Sequence, residues 1–277
     1  MGLPKTSRSY PAEIEELTVG KGDYAVGGAR SPAFLDLDNC RRRRPVIFGE
    51  VFDTLSGYHE SAASMFSGRQ TDIEEWSVMW KELGADGICL RLSDGCDPGI
   101  VKRISDRTRL PIMVSASTDL LSEIAGSVDD TILILKCRDR QQSLEMSSRS
   151  NNHIVTARCD EGSPQELCRK MSENGAKNIV TDLGDGHLAH GLDQLRHRIE
   201  EYRLSGLEGD ADSRHPIICD VSNIWGGFEQ DVTARKASMH EATAALSVMM
   251  SGADILVMKG PGAADMARVY GEELADL

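Results

Sequence analysis

Two stretches of the chain, "GADGICLRL" at 84–92 and "GADILVMK" at 252–259, are nearly the same phrase. Each follows a helix-like segment, and each runs at once into an apolar, β-branched string. Glycine at this point takes the left-handed position that terminates a helix, and the next strand starts within two or three residues. "GAKNIVTD" at 175–182 writes the same junction a third time. A chain that repeats helix–Gly–strand is committed to alternating α and β elements.

Short apolar runs bounded by turn residues occur at 45–52, 87–92, 110–115, 131–137, 153–159, 178–183, 216–221 and 254–258. They are apolar almost throughout rather than alternating, as strands buried on both faces of a parallel sheet are. Helical segments lie between them, at 72–83, 97–107, 119–126, 140–150, 163–174, 191–205, 235–251 and 262–275. The segment 163–174 carries a nearly full set of end signals, with Ser163 as N-cap, Pro164, Glu166 and the terminator Gly175. Eight strands alternating with eight helices predict an α/β fold, a closed (β/α)8 TIM barrel. A doubly wound open sheet is the runner-up, but no strand leads into a GxGxxG turn. Residues 14–28 read as a short hairpin turning at Lys21-Gly22-Asp23. The expected organisation is an arm and hairpin over 1–44 that closes the barrel bottom, followed by the barrel itself over 45–277. The "VGGARS" at 26–31 lacks the GxxxxGK spacing of a phosphate loop.

Composition narrows the function. The net charge is −13 and the sequence pI about 5.0, the wrong sign for a general nucleic-acid or anionic-membrane binder. The basic run Arg41 to Arg44 reads as a solvated entry to the first barrel strand, with an acidic partner or a phosphate as the alternative. No apolar run approaches the ~20 residues of a membrane span, and the first residues have no apolar core of a signal peptide. The seven cysteines are odd in number and form no CxxC. That pattern fits buried apolar thiols in a reducing cytoplasm and carries no iron–sulfur cluster within the chain.

In a barrel of this type, function sits at the C-terminal ends of the strands. Those ends offer Glu50 and Asp53, Arg91 and Asp94, Ser115 and Thr118, Lys136 and Arg138, Arg158 and Asp160, Asp182 and Asp185, Asp220 and Asn223, and Lys259. Three chemistries are open to this set. Lys136 or Lys259 would serve as a Schiff-base lysine if burial or a cationic neighbour lowered its pKa; a lysine paired with a carboxylate is the plainer reading. His187 and His190, near Asp182 and Asp185, would hold a metal only with a converging ligand set, and no metal-ligand spacing is present. The third is a binding face, on which Asp182, Asp220 and Asn223 bond the amide edge of a flat heterocycle such as a pterin or a corrin rim. Trp225 and the Gly226-Gly227 pair of "NIWGGF" (223–228) suit such a ligand. No strong nucleophile motif is present.

Five further strings occur in a telling order: "VGGARSPAF" (26–34), "VIFGEVFD" (46–53), "LGADGICLRL" (83–92), "GLDQLRHRIEEYRLSGLEGD" (191–210) with "HPII" (215–218), and "EATAALSVMMSGADILVMKGPGAA" (241–264). Together they resemble the small, or delta, subunit of the corrinoid iron–sulfur protein of the CO dehydrogenase/acetyl-CoA synthase system. The resemblance spans about residues 20–265. It implies a barrel that forms a heterodimer with a large corrinoid- and iron–sulfur-bearing subunit, in anaerobic one-carbon metabolism (the Wood–Ljungdahl pathway). The shared corrinoid cofactor would face the C-terminal mouth of the barrel, taking a methyl group from a pterin methyltransferase component and passing it to acetyl-CoA synthase. It also implies a component without a complete active site of its own. The strand-end candidates for cofactor binding are then Asp182, Asp185, His187, Asp220, Asn223, Trp225 and Lys259, with no catalytic residue and no metal ligand. Gly260-Pro261 and the loop after the seventh barrel strand depart from the family pattern. The alternatives are therefore a free-standing pterin-dependent methyltransferase and a paralogue serving another corrinoid methyl transfer.

Overall fold

The computed structural model describes residues 9–22, 24–33, 43–56, 58–184, 188–229 and 231–276, with the backbone alone at 188–190 and 276. The chain opens with β1 (Glu16–Val19) and β2 (Tyr24–Gly27), an antiparallel hairpin. The barrel follows: β3 (Val46–Phe52), α1 (Glu60–Ala63), α2 (Ile73–Glu82), β4 (Gly87–Arg91), α3 (Gly99–Thr108), β5 (Ile112–Ser115), α4 (Thr118–Ser127), β6 (Ile134–Leu135), α5 (Arg140–Ser147), β7 (Ile154–Arg158), α6 (Pro164–Glu173), β8 (Asn178–Asp182), α7 (Leu188–Leu207), β9 (Ile217–Asp220), α8 (Ala234–Ser251), β10 (Ile255–Met258) and α9 (Pro261–Asp276). The eight strands β3 to β10 run parallel, and β10 pairs with β3 to close the barrel.

The local signals act as their chemistry dictates. Ser163 accepts the Glu166 amide at 3.1 Å, and Asp72 caps α2 by accepting the amides of Glu74 and Glu75. Gly84, Gly175 and Gly252 all take left-handed φ values at the junctions that the repeated phrase marks. Gly191, with φ −133°, is non-helical and kinks α7, so the main helix begins just after it, close to the expected start at 191.

Side chains alternate in and out along each strand. Phe48, Cys89, Met113, Ile134, Val180, Ile218 and Val257 point inward and form one packed cluster, together with Val46, Ile154 and Ile255. Leu17, Val19 and Val26 of the hairpin join that cluster from the N-terminal side. The outer faces of the strands pack on the helices in a second, larger core. Two glycines on the barrel strands allow close approaches. A Cβ on Gly87 would lie 2.4 Å from the Phe48 ring, and one on Gly49 would lie 2.1 Å from Trp80.

Two regions differ from the sequence reading. Strand β6 is two residues long instead of spanning 131–137. At its start, Ile132 pairs with Gly20 of the hairpin (N–H to O at 2.8 and 2.9 Å). At its end, the Cys137 amide is taken by Thr156 Oγ1 at 2.8 Å rather than by a strand carbonyl. The segment 53–71 holds α1 and two 3-10 turns, Ser64–Phe66 and Arg69–Thr71. Single turns are too short to show a hydrophobic period.

Candidate functional site

The alternation that puts Phe48, Cys89, Ile134, Val180, Ile218 and Val257 in the barrel interior puts the residues two further on in the same interior, one layer nearer the mouth. Those residues are Glu50, Arg91, Lys136, Asp182, Asp220 and Lys259, and Arg158 joins them from β7. The apolar interior is therefore capped by a charged layer.

This layer neutralises itself. Arg91 donates through Nε to Glu50 Oε1 at 2.9 Å and through Nη2 to Asp220 Oδ2. Lys136 Nζ lies 3.0 Å from Asp220 Oδ2 and 3.4 Å from Asp182 Oδ2. Arg158 holds Asp182 through Nη1 at 3.1 Å and Asp160 through Nη2 at 2.7 Å. Ser222 donates its hydroxyl to Glu50 or Asp220, at 3.0 and 2.7 Å. Lys259 Nζ sits 3.4 Å from Glu50 Oε2 and above the Tyr58 ring, 4.8 Å from its centre. Burial is deep: Glu50 is 2% exposed, Lys136 3%, Asp182 1% and Asp220 3%. A buried charge persists only when paired. Burial by itself raises the Asp220 carboxyl, but Arg91 and Lys136 outweigh it and hold the group well below the usual carboxylate range. Burial likewise works to lower Lys136, and Asp220 with Asp182 reverse the sign and raise it. A Schiff-base lysine needs the opposite shift, so Lys136 stays an ammonium.

The loop after β9 forms the visible rim. Val221–Gly227 is a 3-10 turn in which Asn223, Gly226 and Gly227 are exposed. An added Cβ on Gly226 meets nothing within 4 Å. Trp225 turns inward: it is 1% exposed and donates its indole N–H to Glu241 Oε2 at 2.8 Å. The candidates thus separate by depth. Asp182 and Asp220 lie in the buried layer, Lys259 is at its edge, Asn223 is on the rim, and Trp225 holds the rim from behind. Asp185 and His187 lie outside the described residues. Glu50, Arg91, Lys136 and Arg158, named among the strand ends but not among the cofactor-binding candidates, complete the layer. The two-residue alternation of the strands, counted from the apolar layer, was the signal that finds them.

Among the described residues no group of three or more His, Cys, Asp or Glu is placed to hold a metal ion, and no helix is long and apolar enough to cross a membrane. Burial pushes the Cys89 and Cys137 thiols up to about 12, which leaves them unreactive. A cleft with about 700 Å³ of open space lies at the N-terminal face beside Gly27, Gly28, Arg43, Arg44 and Arg203. These arginines are matched by Glu16, Asp86 and Asp254, so the cleft holds no surplus of positive charge for a phosphate.

Comparison with known proteins agrees with this architecture. The barrel is similar to dihydropteroate synthase from Thermus thermophilus, solved in complex with 4-aminobenzoate. The TM-score is 0.55 at 17% identity, over 92% of this chain and 98% of that one. At that identity the likeness is one of fold. In sequence the chain is 24% identical to the acetyl-CoA decarbonylase/synthase complex subunit delta of Methanothermobacter thermautotrophicus, over 96% of this chain and 77% of the relative. It is 25% identical to the Archaeoglobus fulgidus subunit delta, over 91% of this chain and 66% of the relative. Subunit gamma 2 of Methanosarcina thermophila also matches, at 25% identity over 92% of this chain but 55% of that protein. The family model described as CO dehydrogenase/acetyl-CoA synthase delta subunit matches residues 16–268. On that span, and on the barrel it builds, the chain belongs to the CO dehydrogenase/acetyl-CoA synthase delta subunit family.

Proposed function

We propose that this chain is the corrinoid-covering barrel of a methyl-carrying pair. Its mouth lies against a corrinoid held by a larger iron–sulfur subunit, while a methyl group passes from a tetrahydropterin to acetyl-CoA synthase. The observation that supports this most directly is the self-neutralised strand-end layer. A catalytic mouth keeps an acid, base or nucleophile in reach of substrate. Here Glu50, Arg91, Lys136, Arg158, Asp182 and Asp220 are bound to one another beneath the surface. What remains on the outside is a polar rim with Asn223, open space above Gly226, and Lys259 at the edge.

Such a rim fits a large flat ligand whose periphery carries carboxamides. Asn223 would bond those amides directly and Lys259 would donate to their carbonyls. Asp182 and Asp220 would act from the layer below by fixing the cations. The corrinoid supplies the methyl-carrying metal when bound; the chain excludes water from it, which suppresses side reactions of the reduced metal. The same reading makes the partners a corrinoid-bearing large subunit, acetyl-CoA synthase and a pterin methyltransferase component, all meeting in the cytoplasm.

The test is co-purification. A tagged chain is expressed anaerobically in its native host, and its partners and visible spectrum are recorded. A second subunit with a corrinoid absorption band is the expected result. A colourless barrel without a partner overturns the reading. If that barrel also binds a methyl-tetrahydropterin tightly, the free-standing methyltransferase takes its place.

A further inference from the structure

Glu241 is the only acid in α8 and it is fully buried. Its Oε2 accepts the Trp225 indole N–H at 2.8 Å and the Gly260 amide at 2.9 Å, and its Oε1 accepts the Lys259 amide at 2.6 Å. One carboxylate therefore ties α8 to the loop after β9 and to the turn after β10. The packing around it leaves no slack. A Cβ on Gly260 would sit 2.7 Å from Glu241 Oε2, 3.1 Å from Ser238 Oγ and 3.4 Å from Trp225. Trp225 is wedged edge-on between His59, with ring centres 5.5 Å apart, and Phe228 at 6.0 Å. His59 Nε2 also lies 3.2 Å from the Glu229 carbonyl oxygen, so the far side of the same loop is tied down.

We propose that Glu241 is the positioning residue of the rim. By holding the Trp225 indole and the Lys259 and Gly260 amides together, it fixes the loop 221–229 against the turn that carries Lys259, and so sets the face offered to the corrinoid-bearing subunit. The last clause rests on the function proposed above; the rest does not. A buried acid with no structural duty would be replaced at little cost by an apolar residue, whereas this one satisfies three donors from two separate segments.

The charged and titratable groups around it are few. Lys259 faces it from the turn after β10 and Tyr58 from the loop before α1; Glu50 stands behind Lys259. His59 packs against the Trp225 ring and His240, the neighbour of Glu241 in the chain, against the Phe228 ring. Burial pushes the Glu241 carboxyl up to about 7, against the opposing pull of its three N–H bonds and of Lys259. A proton there turns one acceptor position into a donor and removes the charge that strengthens the remaining bonds. Ionisation strengthens the three bonds but costs more in desolvation than they return, so the net hold on the rim declines as the pH rises through about 7.

The experiment follows the indole N–H of Trp225 by NMR, assigned by its loss in Trp225→Phe, together with amide exchange and binding to the corrinoid-bearing subunit. In the wild type the indole signal moves with a midpoint near pH 7, and in Glu241→Gln that movement is gone. In the variant, exchange across 221–229 and at 259–260 rises about tenfold or more, and affinity for the corrinoid-bearing subunit falls about tenfold. An indole signal that still titrates in Glu241→Gln belongs to a histidine and overturns the proposal, as do wild-type exchange rates in the variant. Should the variant fail to fold, the wild-type titration decides alone, and a signal static between about pH 5 and 9 rejects the role. A wild-type chain that shows the expected indole and exchange behaviour but binds no corrinoid-bearing subunit refutes the docking reading and upholds Glu241 as the residue that positions the loop.

Discussion

Replacing Lys136 by methionine tests whether the charged layer is a closed, dry assembly. The methionine keeps most of the volume and removes the ammonium. In the wild type that ammonium lies 3.0 Å from Asp220 and 3.4 Å from Asp182. At an effective dielectric of about 20 each contact is a gross attraction of roughly 5 kcal/mol. Desolvation of the lysine and repulsion from Arg91 and Arg158 offset most of this. Breaking a buried pair from one side costs about 3–5 kcal/mol. Asp220 keeps Arg91 and Ser222, and Asp182 keeps Arg158 and the Gly184 amide, which puts Lys136→Met at about 3 kcal/mol, at the low end of that range. For a chain of this size the melting temperature then falls by roughly 5 °C.

Urea unfolding at neutral pH measures the loss, and a pH series tests its cause. Asp220 has a depressed pKa in the folded state, so its contribution is complete above its unfolded value of about 3.9 and is lost as the pH falls toward the folded value. The gap between wild type and variant must therefore narrow below about pH 4. Adding Asp220→Asn to Lys136→Met should cost less than the sum of the two single changes by at least about 1 kcal/mol. A loss for Lys136→Met below about 1 kcal/mol, unchanged with pH, would refute the reasoning. It would mean that Lys136 stands in water and is available to a ligand.

Other consequences are briefer. Glu241 binds its proton more tightly folded than unfolded, so its contribution to stability declines as the pH rises from about 4.5 to about 7; that decline should be missing from the unfolding curves of Glu241→Gln. Gly87→Ala drives a methyl group into the Phe48 ring and should cost about 1–3 kcal/mol by calorimetry. Thr156→Val keeps the shape but strands the Cys137 amide, at about 1–3 kcal/mol, with faster exchange at that amide as the specific sign.

The repeated Gly-Ala-Asp junction and the apolar runs were enough to specify alternating strands and helices, and with them the barrel. Helix ends are local affairs, settled by one glycine or one capping oxygen, so Ser163, Asp72 and Gly252 are legible from neighbours in the chain. The ordered strings from 26 to 264 carried the family, whose model matches residues 16–268. The face at which function sits also followed, because it is fixed by strand direction.

Pairing across the barrel was decided only in three dimensions. Glu50 and Ser222 are 172 positions apart in sequence, yet their side chains meet at 3.0 Å. No local pattern announces which strand-end charge will cancel which, since the partner depends on closure of β10 onto β3. Tertiary structure likewise ended β6 early, through the hairpin on one side and the Thr156 hydroxyl on the other. It turned Trp225 inward and made Glu241, an ordinary helix residue by sequence, the acceptor for three donors. The division has a physical cause. Backbone conformation is set by the nearest few residues, whereas the state of a charge is set by whatever the fold brings within about 4 Å of it.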